Sequence, residues 1–281
     1  MEEWFTGWKL PLGRWMESAI GLLNDHAQEG FDLVSMALGG AIGAVTELLL
    51  VTPPVVVMAL MAAGAWWLHR SWRLVFFIVA AFALIANLGY WRPTMETLSL
   101  VVFSTLTCVL IGVPVGIAAA HRPWLHAALR PVLDLMQTIP TFVYLIPTLI
   151  LFGLGVVPGL ISTVIFAIPA PIRLTHLGIT SVPRQMIEAG EAFGATRRQL
   201  LWKVELPAAM PTIMAGITQC IMLSLSMVVV AALVGADGLG KLVVRALNTV
   251  NVSMGFEAGL AIVILAIVLD RVLRQPARKA R

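Results

Sequence analysis

The chain has 281 residues, of which 59% are hydrophobic and only 12% charged, with a formal net charge of +4. An ordinary soluble domain is about half apolar and about a quarter charged, so this composition excludes a typical soluble enzyme, a disordered chain and a nucleic-acid-binding domain. The isoelectric point near 9.5 does not bring a nucleic-acid partner back, because the excess of base is small and its position along the chain is what matters.

The first segment, 1–52, carries seven acids (Glu2, Glu3, Glu17, Asp25, Glu29, Asp32 and Glu47) against Lys9 and Arg14. Its start, Met1-Glu2-Glu3-Trp4, is acidic with no short apolar core behind it, and is not read as a cleaved secretory signal. Trp15, Ala19, Leu22 and Leu23 recur at helical spacing, which predicts an amphipathic helix on the outer membrane surface. The stretch 33–50 is apolar but holds Gly39, Gly40 and Gly43. It reads as a second interfacial helix or as part of an extra span, separated from the next apolar run by Pro53-Pro54.

Seven segments then approach the length and apolarity needed to cross about 30 Å of hydrocarbon: 53–68, 74–89, 97–120, 132–152, 156–172, 208–234 and 257–273. The expected fold is therefore all-α, a polytopic membrane protein of about seven transmembrane helices. Residues 53–93 form two peripheral spans, 94–273 the core and 274–281 a basic tail. Pro114, Pro140, Pro147 and Pro169 predict kinks, which membrane helices tolerate where neighbours re-satisfy the freed backbone groups. Gly153-Leu154-Gly155 marks a tight turn, and Gly112 and Gly116 predict a close helix contact.

Of the 19 Lys and Arg, 14 fall in the C-terminal end and in the loops 69–73, 121–131 and 173–207; the opposite side holds 5. By the positive-inside rule this puts the C-terminus in the cytoplasm and, with an odd number of spans, the N-terminus outside. Cys108 and Cys220 lie in separate apolar runs and predict neither a disulfide framework nor a zinc site. His26, His69, His121, His126 and His176 are scattered, so no metal site is expected. The scarcity of ionisable groups within the spans argues against an ion-coupled carrier.

The longest inner loop, 173–207, carries the most specific pattern. Pro183 precedes a short helix with Met186, Ile187, Ala189, Ala192 and Phe193 on an apolar side and Glu188 and Glu191 sharing a face. Gly194 ends it, and Leu200, Leu201 and Val204 mark a second helix entering the sixth span through Pro207. This constellation resembles permease subunits of bacterial ATP-binding-cassette importers. Their cytoplasmic loop reads Glu-Ala-Ala, three residues, Gly, nine residues, Ile, one residue, Leu-Pro. Here Glu188-Ala189-Gly190, Gly194 and Val204-Glu205-Leu206-Pro207 keep that spacing, with Gly for the second Ala and Val for Ile. The segments Asp134–Pro147, Phe166–Thr175, Pro211–Gly216, Leu225–Val229 and Val263–Arg271 are similar to the glycine betaine/proline branch of that family. The coverage is roughly 95–273, and the short N-terminal segment resembles the choline-transporting members more.

The resemblance implies a binding-protein-dependent permease fold in a bacterial inner membrane. It implies a coupling helix docked on a separate ATPase, using Glu188, Ala189, Gly190, Glu191, Phe193, Gly194, Ala195, Arg197, Arg198, Leu206 and Pro207. It also implies that the chain itself carries no catalytic residue and binds no cofactor, ATP and magnesium belonging to the partner. The implied assembly is a homodimer with two ATPase subunits and an extracytoplasmic substrate-binding protein, and the implied substrate is choline, glycine betaine or proline betaine. Gln137, Pro140, Phe142, Tyr144, Pro147 and Phe166 are candidates for the pathway lining. Gly235, Asp237, Gly238 and Gly240 form a glycine-rich outer loop near where the binding protein docks. Residues 235–241 also fit the Gly, four residues, Gly-Lys part of a phosphate loop, but Leu242 stands where Ser or Thr must hold magnesium. The alternatives are a permease for another small solute such as an amino acid, and an ion-coupled secondary transporter.

Overall fold

A computed structural model describes residues 11–273, and every regular element within them is helical. The acids at 2 and 3, Lys9 and the basic tail 274–281 lie outside the described residues. The chain begins with α1, Leu12–Val51, an unbroken helix of 40 residues. The stretch 33–50 is thus not a second helix but the continuation of the first. No proline interrupts it, and a glycine inside a helix costs only about 1 kcal/mol, too little to divide a segment whose second half docks on the body. The helix stops at Thr52, whose hydroxyl donates to the Leu48 carbonyl at 2.7 Å, just before Pro53-Pro54. Its first half is largely exposed. Its second half meets the body, with Phe31 edge-on to Phe152 at 5.2 Å and Ile42 buried among Leu100, Leu160 and Ala231.

Two shorter apolar helices come next, α2 (Pro54–His69) and α3 (Trp72–Asn87), each of 16 residues. The core is built from α4 (Trp91–His121), α5 (Pro123–Thr138), α6 (Thr141–Phe152), α7 (Val156–Ala167) and α8 (Pro169–Thr180), then α11 (Leu206–Ala231) and α13 (Val252–Leu273). Among the described residues, five stretches are long and apolar enough to cross a membrane: Gly13–Val51, Trp91–His121, Val156–Thr180, Arg197–Val234 and Val252–Leu273.

The expected spans 53–68 and 74–89 are the short helices α2 and α3, outside these five, and two further expected spans differ in shape. The segment 132–152 is not one helix: α5 and α6 meet at 97° across Ile139-Pro140. Ile139 is extended (φ −65°, ψ 131°), as the residue before proline prefers, and Pro140 has no N–H with which to continue the ladder. Tyr144 closes the bend by donating its hydroxyl to the Met136 carbonyl at 2.9 Å. The fifth span runs past residue 172 to Thr180, so Arg173 and His176 belong to α8 rather than to the loop. Pro169 and Pro171 sit in its first turn, where proline costs no intrahelical hydrogen bond.

The core helices approach closely where glycines face them. A Cβ on Gly116 would lie 2.7 Å from the Ile172 carbonyl and from Thr175, and one on Gly112 would lie 3.0 Å from Pro171. The small-residue face read from the sequence is therefore the α4–α8 contact. Cys108 and Cys220, far apart in sequence, share one buried cluster with Ile168 and Ile172 as free thiols. Side-chain ties sort the ends of the bundle. His69 Nε2 lies 2.8 Å from the Val272 carbonyl and Arg173 pairs with Asp134 at 2.6 Å, and these sit with the basic loops. At the other end, Tyr90 donates to Glu257 at 2.8 Å and Gly155 N–H to the Val234 carbonyl at 2.8 Å.

Candidate functional site

The loop after α8 folds into α9 (Arg184–Ala192) and α10 (Arg197–Leu200). Pro183 sits at the N-cap of α9, and Arg184 and Glu188 pair one turn apart at 3.0 Å. The helix ends in two interlocked bonds: Gly194 N–H reaches the Glu191 carbonyl at 2.8 Å and Ala195 N–H the Gly190 carbonyl at 3.1 Å. This is a Schellman ending, and it requires a left-handed residue at Gly194 (φ +75°), which glycine adopts at no steric cost. A capping box starts α10. Thr196 N–H donates to Gln199 Oε1 at 2.8 Å and Gln199 N–H to Thr196 Oγ1 at 3.4 Å, so two orphan donors are satisfied reciprocally. A five-residue π-turn, Leu201–Glu205, then leads into α11, with Pro207 in its first turn.

The site residues from Glu188 to Arg198 therefore form one compact unit, with Leu206 and Pro207 at its root. The unit stands proud of the body. No residue of α9 is buried, and Phe193 at its tip is 93% exposed. Glu191, Arg197 and Arg198 are exposed around it without an ion pair among the described residues. Gly190, which stands where the family pattern has a second alanine, faces Leu200: a Cβ there would lie 2.5 Å from a Leu200 methyl.

The glycine-rich outer segment is the opposite case. Gly235 (φ +92°) and Gly238 (φ +124°) turn the chain into α12, Leu239–Asn248, a helix absent from the sequence-based expectations. Its signal lies in Leu239, Leu242, Val243 and Ala246 at helical spacing. The Leu239 N–H donates to Thr97 Oγ1 at 2.9 Å, and a Cβ on Gly240 would run into the Val228 carbonyl. Asp237 holds Lys241 at 2.5 Å, and this hydrogen bond and charge raise the lysine above its usual range. Beside this loop, and unforeseen in the sequence, a cavity of about 320 Å³ opens between α1, α4 and the two glycine turns, with Glu47, Arg92, Glu96 and Asp237 on its wall.

The remaining candidates do not converge. Gln137, Pro140, Tyr144 and Pro147 cluster along the α5–α6 bend, where Tyr144 is committed to the Met136 carbonyl. Phe142 is exposed beside it, Phe166 is half-buried on α7, and among the described residues no ring contact joins these aromatics. The scattered histidines yield one pair, His126 and His176, with rings stacked at 3.8 Å. Among the described residues no group of three or more metal-ligating side chains forms.

Residues 112–280 match the family described as binding-protein-dependent transport system inner membrane component. The chain belongs to this family. The match takes in the α9–α10 unit and the core helices around it, and it makes the chain a multi-pass inner-membrane transport permease. The glycine betaine/carnitine transport permease protein of Listeria monocytogenes is 44% identical over 97% of both chains. The glycine betaine transport system permease protein of Bacillus subtilis is 47% identical over 86% of both. Among solved structures, the methionine ABC transporter MetNI in inward-facing conformations aligns at a TM-score of 0.59 and 25% identity. That alignment covers 66% of this chain and 94% of the other. In a permease of this family, an amphipathic helix held out on a Schellman turn with unpaired charges at its rim offers a second protein both an apolar anchor and complementary ionic contacts.

Proposed function

We propose that the chain is the transmembrane subunit of an ATP-driven importer of quaternary-amine osmolytes: choline, glycine betaine or proline betaine. The observation that carries this reading is the exposed α9–α10 unit, with Phe193 at its tip, in a chain that aligns end to end with a glycine betaine/carnitine permease. ATP with magnesium binds a separate ATPase chain, into whose groove the unit docks. One coupling unit per chain, against two ATPase subunits, calls for a homodimer. An extracytoplasmic binding protein delivers substrate to the outer face near Gly235, Asp237, Gly238 and Gly240, and the bend carrying Gln137, Pro140, Phe142, Tyr144 and Pro147 lines the pathway together with Phe166 of α7. The basic loops put the coupling unit and the C-terminus in the cytoplasm and the N-terminus outside. Support for that orientation comes from the ties that gather residues 69, 134, 173 and 272 with the basic loops.

The experiment is affinity purification from mild detergent with mass spectrometry of the accompanying chains. A stoichiometric ATP-binding-cassette ATPase is the expected result. A chain that purifies alone after crosslinking, and takes up substrate on an ion gradient, would overturn the reading in favour of a secondary transporter.

A further inference from the structure

Glu205 ends the π-turn that joins the cytoplasmic unit to α11. Among the described residues it is the only buried Asp, Glu, Lys, Arg or His, at 8% exposure. Its Oε2 lies 2.9 Å from Nε2 of His121, the last residue of α4. The other ring nitrogen of His121, Nδ1, lies 2.9 Å from the Ile117 carbonyl. Both ring nitrogens therefore face an oxygen that accepts. A neutral imidazole has one N–H and can serve only one of them. Satisfying both requires one further proton on the pair, carried by the ring as imidazolium or by the carboxyl as an acid.

The position of the pair in the chain is the second observation. A π-turn is a looser winding within an otherwise regular helix and recurs at functional sites. Here Leu206 N–H reaches back to the Leu201 carbonyl across that turn. The His121–Glu205 contact sits at the α11 end of that turn and ties the root of α11 directly to a different span. That span is α4, which packs with α8 and α11 through Ile117, Ile179, Ala209 and Ile213.

We infer that His121 and Glu205 are positioning residues that lock the root of the coupling unit to the cytoplasmic end of α4 through their side-chain hydrogen bond, so that displacement of the unit moves α4 and α11 together. The inference rests on the importer reading above. The test uses the full complex of permease, ATPase and binding protein in proteoliposomes, and reads ATP hydrolysed per labelled glycine betaine imported. His121→Ala raises that ratio about tenfold, the scale of a typical coupling between sites. Glu205→Leu removes the buried acid and leaves the half-exposed His121 ring neutral, its one N–H serving the Ile117 carbonyl, and raises the ratio to the same extent. Glu205→Gln can still meet the neutral ring with its amide N–H and stays within about twofold of wild type. Ratios within about twofold of wild type for both His121→Ala and Glu205→Leu would overturn the inference alone. A wild-type complex without ATP-driven uptake would overturn the importer reading, and the inference with it.

Discussion

Two short helices interrupt the run of spans, one at each end of the bundle. Both are amphipathic, and both follow or precede a glycine in a left-handed conformation. The outer one, α12, spends its apolar face on its own chain: Leu239, Gly240 and Ala246 are buried, and its first N–H is taken by Thr97. The inner one, α9, buries nothing and leaves Phe193 to solvent. An amphipathic pattern therefore states only that a face seeks cover, and the fold decides whether the cover is internal. A helix whose apolar face the fold leaves open is the one proposed above to take a partner.

Substitutions at the two ends fail in different ways. Gly240→Ala drives a Cβ into the Val228 carbonyl, a collision with backbone that costs about 3 kcal/mol. It lowers the thermal midpoint of the purified permease and its level in the membrane, with transport per folded molecule unchanged. Phe193→Ala removes an exposed aromatic anchor. It leaves the midpoint of the permease alone and weakens ATPase binding by about 2 kcal/mol, roughly thirtyfold in Kd, as read by titration in detergent. Thr97→Val removes the acceptor for the Leu239 N–H and costs about 1–2 kcal/mol of stability in the same thermal assay. Arg184→Ala opens the exposed pair with Glu188, and should shift stability by no more than about 0.5 kcal/mol. A loss of stability from Phe193→Ala, or a loss of ATPase binding from Gly240→Ala with the fold intact, would erase the distinction between the two helices.

The cytoplasmic unit is legible in the sequence because its structure is local. Pro183, Gly194, Thr196 and Gln199 act on neighbours within a few residues, so spacing alone announces the helix, its stop and the restart. The apolar runs and Gly112 with Gly116 are legible for the same reason. The hidden features depend on partners distant in the chain or on how elements pack. The bend at Pro140 is closed by the Tyr144 hydroxyl folding back on Met136, whereas Pro114 and Pro147 stay within helices. Cys108 and Cys220 meet only once α4 and α11 are packed. The His121–Glu205 contact spans 84 residues, and neither residue belongs to a pattern that pairs it with the other. The single long α1 is not legible because its glycines suggest a break where docking against α4 and α6 holds the helix straight.

If the α9–α10 unit carries ATP-driven work into the spans, import must fail when the turn at its tip is altered. The experiment measures uptake of labelled glycine betaine by proteoliposomes holding the permease with its ATPase and binding protein, comparing wild type with Gly194→Asp. The substitution puts a charged side chain on the left-handed turn beside Phe193. Wild type is expected to import with ATP and not with a sodium or proton gradient. Gly194→Asp is expected to insert at the normal level yet to import about tenfold or more slowly. Import by Gly194→Asp at the wild-type rate, or import by wild type driven by an ion gradient without ATP, would contradict this role for the unit.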